Sequence, residues 1–134
     1  MSNKVTPILY SGIAVTINGK ELHCTLDYLA NKSVEYIANS LASLPIGETV
    51  TIKLIGKGSY NNTNWGYRVQ LPESLAKLFK LNIPHVTTFC KRGARAVDTW
   101  KAFTDEGHPE SFTEITISGT VGYWTRAGFC STPI

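Results

Sequence analysis

The sequence predicts one α+β domain built of two similar lobes, and three observations predict it. Strand-like and helix-like stretches succeed one another along the 134 residues. The 43% hydrophobic and 17% charged content is that of a folded globular chain. A His-x-Thr tripeptide on a strand-like stretch, followed by a helix-like one, occurs once in each half.

PILYSGIAVTI (7–17) is rich in branched and aromatic residues and reads as a strand. Asn18-Gly19 is a hairpin-turn dipeptide, so ELHCTL (21–26) reads as the returning strand. NKSVEYIANSLASL (31–44) places Val34, Ile37, Ala38, Leu41 and Leu44 at helical spacing, and Pro45 and Gly47 close it. TVTIKLIG (49–56) alternates Val50, Ile52 and Leu54 with Thr51 and Lys53, as a half-buried strand does. GKGSYNNTNWG (56–66) has the composition of a loop, and YRVQL (67–71) alternates again. PESLAKLFKL (72–81) predicts a short helix with Pro72 near its first turn. IPHVTTFC (83–90) is strand-like, and ARAVDTWKAF (94–103) puts Val97, Trp100 and Phe103 on one helical stripe. DEGHPES (105–111) reads as a loop. FTEITISGTVGYW (112–124) reads as one long strand or a hairpin broken at Gly119, and RAGFCSTPI as a loosely held tail.

A net charge of +3 permits an anionic ligand, but a nucleic-acid-coating protein would carry denser Lys/Arg clusters. The apolar runs are too short to span a membrane. MSNKVTPILYSG lacks the apolar core of a signal peptide. Cys24, Cys90 and Cys130 are odd in number and widely spaced, with no zinc-type pair, so a reducing cytoplasm is the expected compartment.

Two of the three histidines lie in the repeated tripeptide: His23-Cys24-Thr25 and His85-Val86-Thr87. On a strand, residues two apart share a face. Each motif therefore offers an imidazole beside a hydroxyl and turns Cys24 or Val86 to the opposite, apolar side. Two such strands side by side supply one imidazole to take a proton and one to give it. The threonine hydroxyls can bond phosphate oxygens. That set suffices to cut a phosphodiester. A metal is the competing reading, because His23, Thr25 and Asp27 share parity. Threonine is a poor ligand, however, and His85 has no matching carboxylate, so no metal site and no cofactor are expected.

Paired His-x-Thr motifs flanked by apolar residues resemble those of the 2H phosphoesterases, including the LigT-like enzymes. The segments are Leu22-His23-Cys24-Thr25-Leu26 and Pro84-His85-Val86-Thr87, and the likeness extends over roughly residues 7–124. The resemblance implies a bilobal α+β fold, with the two His-x-Thr strands lining a central cleft. It implies His23, Thr25, His85 and Thr87 as catalytic residues. It also implies 2′,3′-cyclic phosphates, RNA ends or cyclic oligonucleotides as substrates. Two departures stand out: only 62 residues separate the histidines, and Thr88 stands where a hydrophobic residue often follows the second motif. The compact chain resembles phage members of the family that hydrolyse cyclic di- and trinucleotide messengers and so evade host CBASS immunity. That likeness implies action in the host cytosol.

Lys57, Tyr60 and Trp65 in the 56–68 stretch, with Tyr10 on the first strand, are the candidate substrate-binding residues. Aromatic rings stack on bases, and amides read base edges. Tyr67 reads as a core residue of its strand. Tyr10, Tyr123 and Trp124 by default pack the core or rim. Lys91, Arg92 and Arg95 follow the second motif and could attract a phosphate, though such a cluster is more often a solvated turn and helix start. His108 reads as a loop residue. The expected partner is a small nucleotide, with no membrane and no stable nucleic-acid complex. An RNA-end cyclic phosphodiesterase and a non-catalytic nucleotide sponge are the alternative functions.

Overall fold

Asn18 and Gly19 both take positive φ, 51° and 79°, which suits the twist of a two-residue hairpin. They join β1 (Ile8–Ile17) to β2 (Lys20–Tyr28), with Ile17 paired to Lys20. The structure, a computed structural model, describes residues 7–133. A second tight turn, with Asn61 and Asn62 at φ 52° and 54°, joins β3 (Thr49–Tyr60) to β4 (Asn64–Gln70). The expected loop over 56–66 is therefore mostly strand. Asparagine tolerates the left-handed conformation, so the reversal needs only these few residues.

The remaining strands are β5 (His85–Cys90), β6 (His108–Glu110), β7 (Ile115–Thr125) and β8 (Gly128–Cys130). The order β3-β4-β5-β2-β1-β7 closes on itself because β7 also pairs with β3. β7 is long enough to serve both neighbours. Its first half, from Ile115 to Thr120, lies along Thr49–Leu54, and the stretch from Gly119 to Thr125 lies along β1. The result is a closed six-stranded antiparallel barrel, with β6 added to the far half of β3 and β8 to the end of β7. β7 runs unbroken through Gly119, and the tail expected to be loose contributes β8.

This architecture corrects the expected bilobal α+β fold. There are no two lobes and no cleft between them; the two motif strands are adjacent staves of one wall. The helices are too few and too short to form a layer. α1 (Val34–Ser43) is capped by the Ser33 hydroxyl, which accepts from the Tyr36 amide at 3.1 Å. It tucks Leu41 and the following Leu44 into the core. α2 (Glu73–Ala76) is a single turn that buries Leu75.

Alternate residues fill the barrel: Ile13 and Val15, Cys24 and Leu26, Ile52 and Leu54, with Val69, Val86 and Val121. A bulge interrupts the alternation on β2. Gly12 pairs with Thr25 but Ser11 pairs with Asp27, which leaves Leu26 as the extra residue. Beyond it the faces are exchanged. Asp27 turns inward and accepts a 2.6 Å hydrogen bond from the Tyr36 hydroxyl, and Tyr28 turns outward.

The segment expected as a helix over 94–103 is a 3-10 helix, Ala96–Phe103. The strict three-residue spacing of Val97, Trp100 and Phe103 is the period of that helix rather than of an α-helix. It buries Thr99 and Ala102 against the outside of β3 and β4. Glycines make the approach possible. A Cβ on Gly66 would stand 2.7 Å from Thr99 Cγ2, and one on Gly58 3.4 Å from the Ala102 carbonyl.

Candidate functional site

β2 and β5 meet in an antiparallel pairing centred on Cys24 and Val86, both fully buried. Carrying that register one residue each way sets His23 beside Thr87 and Thr25 beside His85. The four residues of the two motifs thus form a compact quartet on the outer face of the wall. The histidines are diagonal neighbours, with strand positions roughly 7–8 Å apart. A phosphate fits between two imidazoles at that spacing.

His85 Nδ1 lies 2.8 Å from the Ile83 carbonyl. A carbonyl only accepts, so Nδ1 carries a proton where it meets Ile83. His23 is held differently. Its ring stacks on Tyr10 at 4.9 Å and leans on Trp124 at 5.0 Å, and Tyr10 and Trp124 stack on each other. Both histidines are pushed below their ordinary 6.5. For His23 the causes are burial first and the charge of His85 second. For His85 burial outweighs the opposing pull of the Ile83 and Ala96 carbonyls. Both rings are therefore neutral in the free protein at neutral pH, and the charge on one discourages charge on the other.

The threonines are tied into separate networks. Thr87 Oγ1 lies 2.9 Å from Thr99 Oγ1 and 3.1 Å from the Ala96 carbonyl. Thr99, fully buried, accepts from Asn64 Nδ2 at 3.1 Å, and Asn64 Oδ1 accepts from Thr63 at 2.6 Å. A hydroxyl has one hydrogen, and the Thr87–Thr99 contact can run in either direction. When Thr99 donates, the sequence Asn64 to Thr99 to Thr87 leaves the Thr87 hydrogen to the Ala96 carbonyl, from which a stronger, anionic acceptor can draw it. Thr25 faces the phenol of Tyr28, which the bulge has brought to this side. Burial pushes the Tyr28 hydroxyl up, as does the neighbouring Tyr10; Arg95 and the Thr25 contact act in the opposite sense.

Of the expected substrate-binding residues, Tyr10 stands in the site. Trp65, Lys57 and Tyr60 do not. Asn64 and Gly66 face the 3-10 helix, so Trp65 between them points to the opposite side of the wall, against Phe89 with Lys91 over its ring. Lys57 lies on β3, two strands from β5, and pairs with Glu110 at 3.9 Å. Tyr60 lies under Lys101. Tyr67 packs into the core beside Phe112, as its alternation indicated. Arg68 sits across from His85, and Arg95 acts on Tyr28, so the cationic side chains flank the β5 side.

The inward turn of Asp27 removes the carboxylate that shared parity with His23 and Thr25. Among the described residues no trio of His, Cys, Asp or Glu gathers to hold a metal ion. Cys24, pushed up to about 12 by burial, is an unreactive core thiol. Among the described residues no helix is long and apolar enough to cross a membrane. Sequence reasoning missed Asn64, Thr99 and Tyr28 and gave Trp124 to packing. For Trp124 a signal existed: it shares strand parity with Thr120 and Gly122 on the face that β1 shares with His23. A scan against protein-family models finds no match for this chain, and a search of curated proteins finds none either.

Proposed function

We propose that the protein is a metal-independent phosphodiesterase that uses His23 and His85 as an acid–base pair on small oligonucleotides. One observation carries the reading: the Cys24–Val86 pairing brings His23, Thr25, His85 and Thr87 together on one half-buried outer face. Binding alone would need no second imidazole. Where a ribose 2′-OH lies beside the scissile phosphate, one neutral imidazole takes its proton as the new P–O bond forms. The imidazolium of the other histidine returns a proton to the leaving oxygen as the old P–O bond breaks. The acid acquires its proton as the substrate's negative charge arrives, because a neighbouring anion favours imidazolium. Thr87, polarised through Thr99 and Asn64, and Thr25 donate to the phosphate oxygens as charge develops.

The chemistry is that of the 2H phosphoesterases, carried here on a barrel wall. The motifs and the compact chain favour cyclic di- and trinucleotides as substrates, with evasion of CBASS immunity as the biological role. The test is incubation in EDTA with 3′,3′- and 2′,3′-linked cyclic di- and trinucleotides and a 2′,3′-cyclic-phosphate RNA end. Products are read by chromatography and mass. Cleavage should fall about 10²–10⁴-fold in His23→Ala and in His85→Ala. Near wild-type turnover in either variant defeats the mechanism. Intact nucleotide retained by the wild-type protein would make it a sponge.

A further inference from the structure

Beside the quartet, on the His23 side, a groove of about 620 Å³ runs along the outer face of β1, β2, β7 and β8. Its volume is that of a nucleoside-sized site. Small side chains, Ala14 and Thr120, contribute to its lining, with Trp124 and Phe129 beside them. Trp124 is held between Tyr10 and Phe129, with His23 leaning on it, so this wall is preorganised. The charge pattern is one-sided. Among the described residues no lysine or arginine lines the groove, and the one carboxylate there is Glu21. Glu21 lies two residues before His23 on the same strand and is exposed on that face. Arg68 and Arg95 lie on the other side of the quartet.

We infer that this groove is a nucleobase site whose Glu21 carboxylate selects bases bearing an exocyclic amine: adenine, guanine or cytosine over uracil. This rests on the phosphodiesterase reading and orients its substrate. An ionised carboxylate only accepts hydrogen bonds and repels phosphate. The anionic part of the ligand therefore lies toward the arginines and the histidine pair. The groove takes a neutral, donor-bearing ring. Phe129, exposed and backed by Trp124, supplies the stacking surface, and Glu21 meets the amino edge as carboxylates meet cytosine N4.

The experiment is a calorimetric titration of the protein with AMP, GMP, CMP and UMP, each followed also by tryptophan fluorescence. CMP and UMP are the decisive pair, because they have the same size and differ in amine against carbonyl. Wild type should bind the three amino-bearing nucleotides more tightly than UMP. Glu21→Gln should weaken those three about tenfold and leave UMP unchanged, the effect of losing a charge-assisted bond. Phe129→Ala should weaken all four. His85→Ala, defective in cleavage, should keep the preference for CMP over UMP. Equal affinity for CMP and UMP, equal weakening of both by Glu21→Gln, or no binding of any of the four at millimolar concentration would overturn the inference. The cleavage assay in EDTA fails or succeeds separately. Loss of cleavage with the base preference intact condemns the phosphodiesterase reading alone.

Discussion

Replacing Thr99 by valine keeps the shape of a fully buried side chain and deletes one oxygen. That oxygen accepts from Asn64 Nδ2 at 3.1 Å and meets Thr87 Oγ1 at 2.9 Å. Asn64 Nδ2 has two hydrogens. One keeps the Arg95 carbonyl at 2.8 Å, and the other is left with Cys90 Sγ at 3.7 Å, a poor acceptor. Thr87 falls back on the Ala96 carbonyl at 3.1 Å and so keeps a bond. The net loss is one buried N–H without an oxygen partner, worth about 1–3 kcal/mol. At roughly 3–5 °C per kcal/mol for a chain of this size, the midpoint should drop by several degrees. Urea unfolding of Thr99→Val, with an unchanged m-value, measures it. The same change removes the Thr99 hydroxyl that polarises Thr87, so turnover should fall about three- to tenfold without loss of nucleotide binding. A Thr99→Val protein within about 0.5 kcal/mol of wild type would mean that the buried network is not coupled as described.

Three further outcomes are expected. Both imidazoles titrate below 6.5 in the folded state, so the unfolded chain binds more protons in acid. Stability should be complete above that value and decline as pH falls through the lowered folded values. His23→Phe, which preserves the stack with Tyr10 and Trp124, should show a flatter decline in urea midpoints between about pH 6.5 and 5; an identical decline would deny the burial effect. Gly66→Ala would bring a Cβ to 2.5 Å from the Val86 carbonyl and 2.7 Å from Thr99, and should cost about 1–3 kcal/mol. A stabilised alanine variant would show that the 3-10 helix does not seat on this strand. Ser11 Oγ is fully buried and has no hydrogen-bond partner among the described residues, so Ser11→Ala should stabilise by about 1 kcal/mol in thermal or urea unfolding. Destabilisation would mean that the hydroxyl is satisfied in solution.

The strands and the first hairpin are legible because their signals are local. Alternation at Val50, Ile52 and Leu54, and the Asn18-Gly19 turn, require no knowledge of distant residues. The Asn61-Asn62 turn was present in the sequence but hidden among polar and aromatic neighbours that look like a loop. Closure of the barrel was not legible. It depends on β7 pairing with β3 across more than fifty residues, and nothing at Ile115 or Thr49 advertises the other. The composition of the site followed from strand parity at His23, Thr25, His85 and Thr87. Their adjacency did not, because it is set by which staves become neighbours. Asp27 was assigned to the wrong face for a simpler reason. A single extra residue at Leu26 reverses parity, and a bulge leaves no mark in an otherwise regular apolar–polar pattern.

The site on the outside of the wall has an evolutionary consequence. On the phosphodiesterase reading, neighbouring codons along β2 answer to different selective pressures: Cys24 and Leu26 to the packing of the interior, His23 and Thr25 to the proposed chemistry outside. Variation scored for abundance and variation scored for turnover should therefore interleave with a period of two, out of phase with each other up to Leu26. Beyond it the phase should slip by one position. A lineage can then retune the interior for a new temperature while the reactive face stays untouched, because the two tasks share a backbone but no side chain.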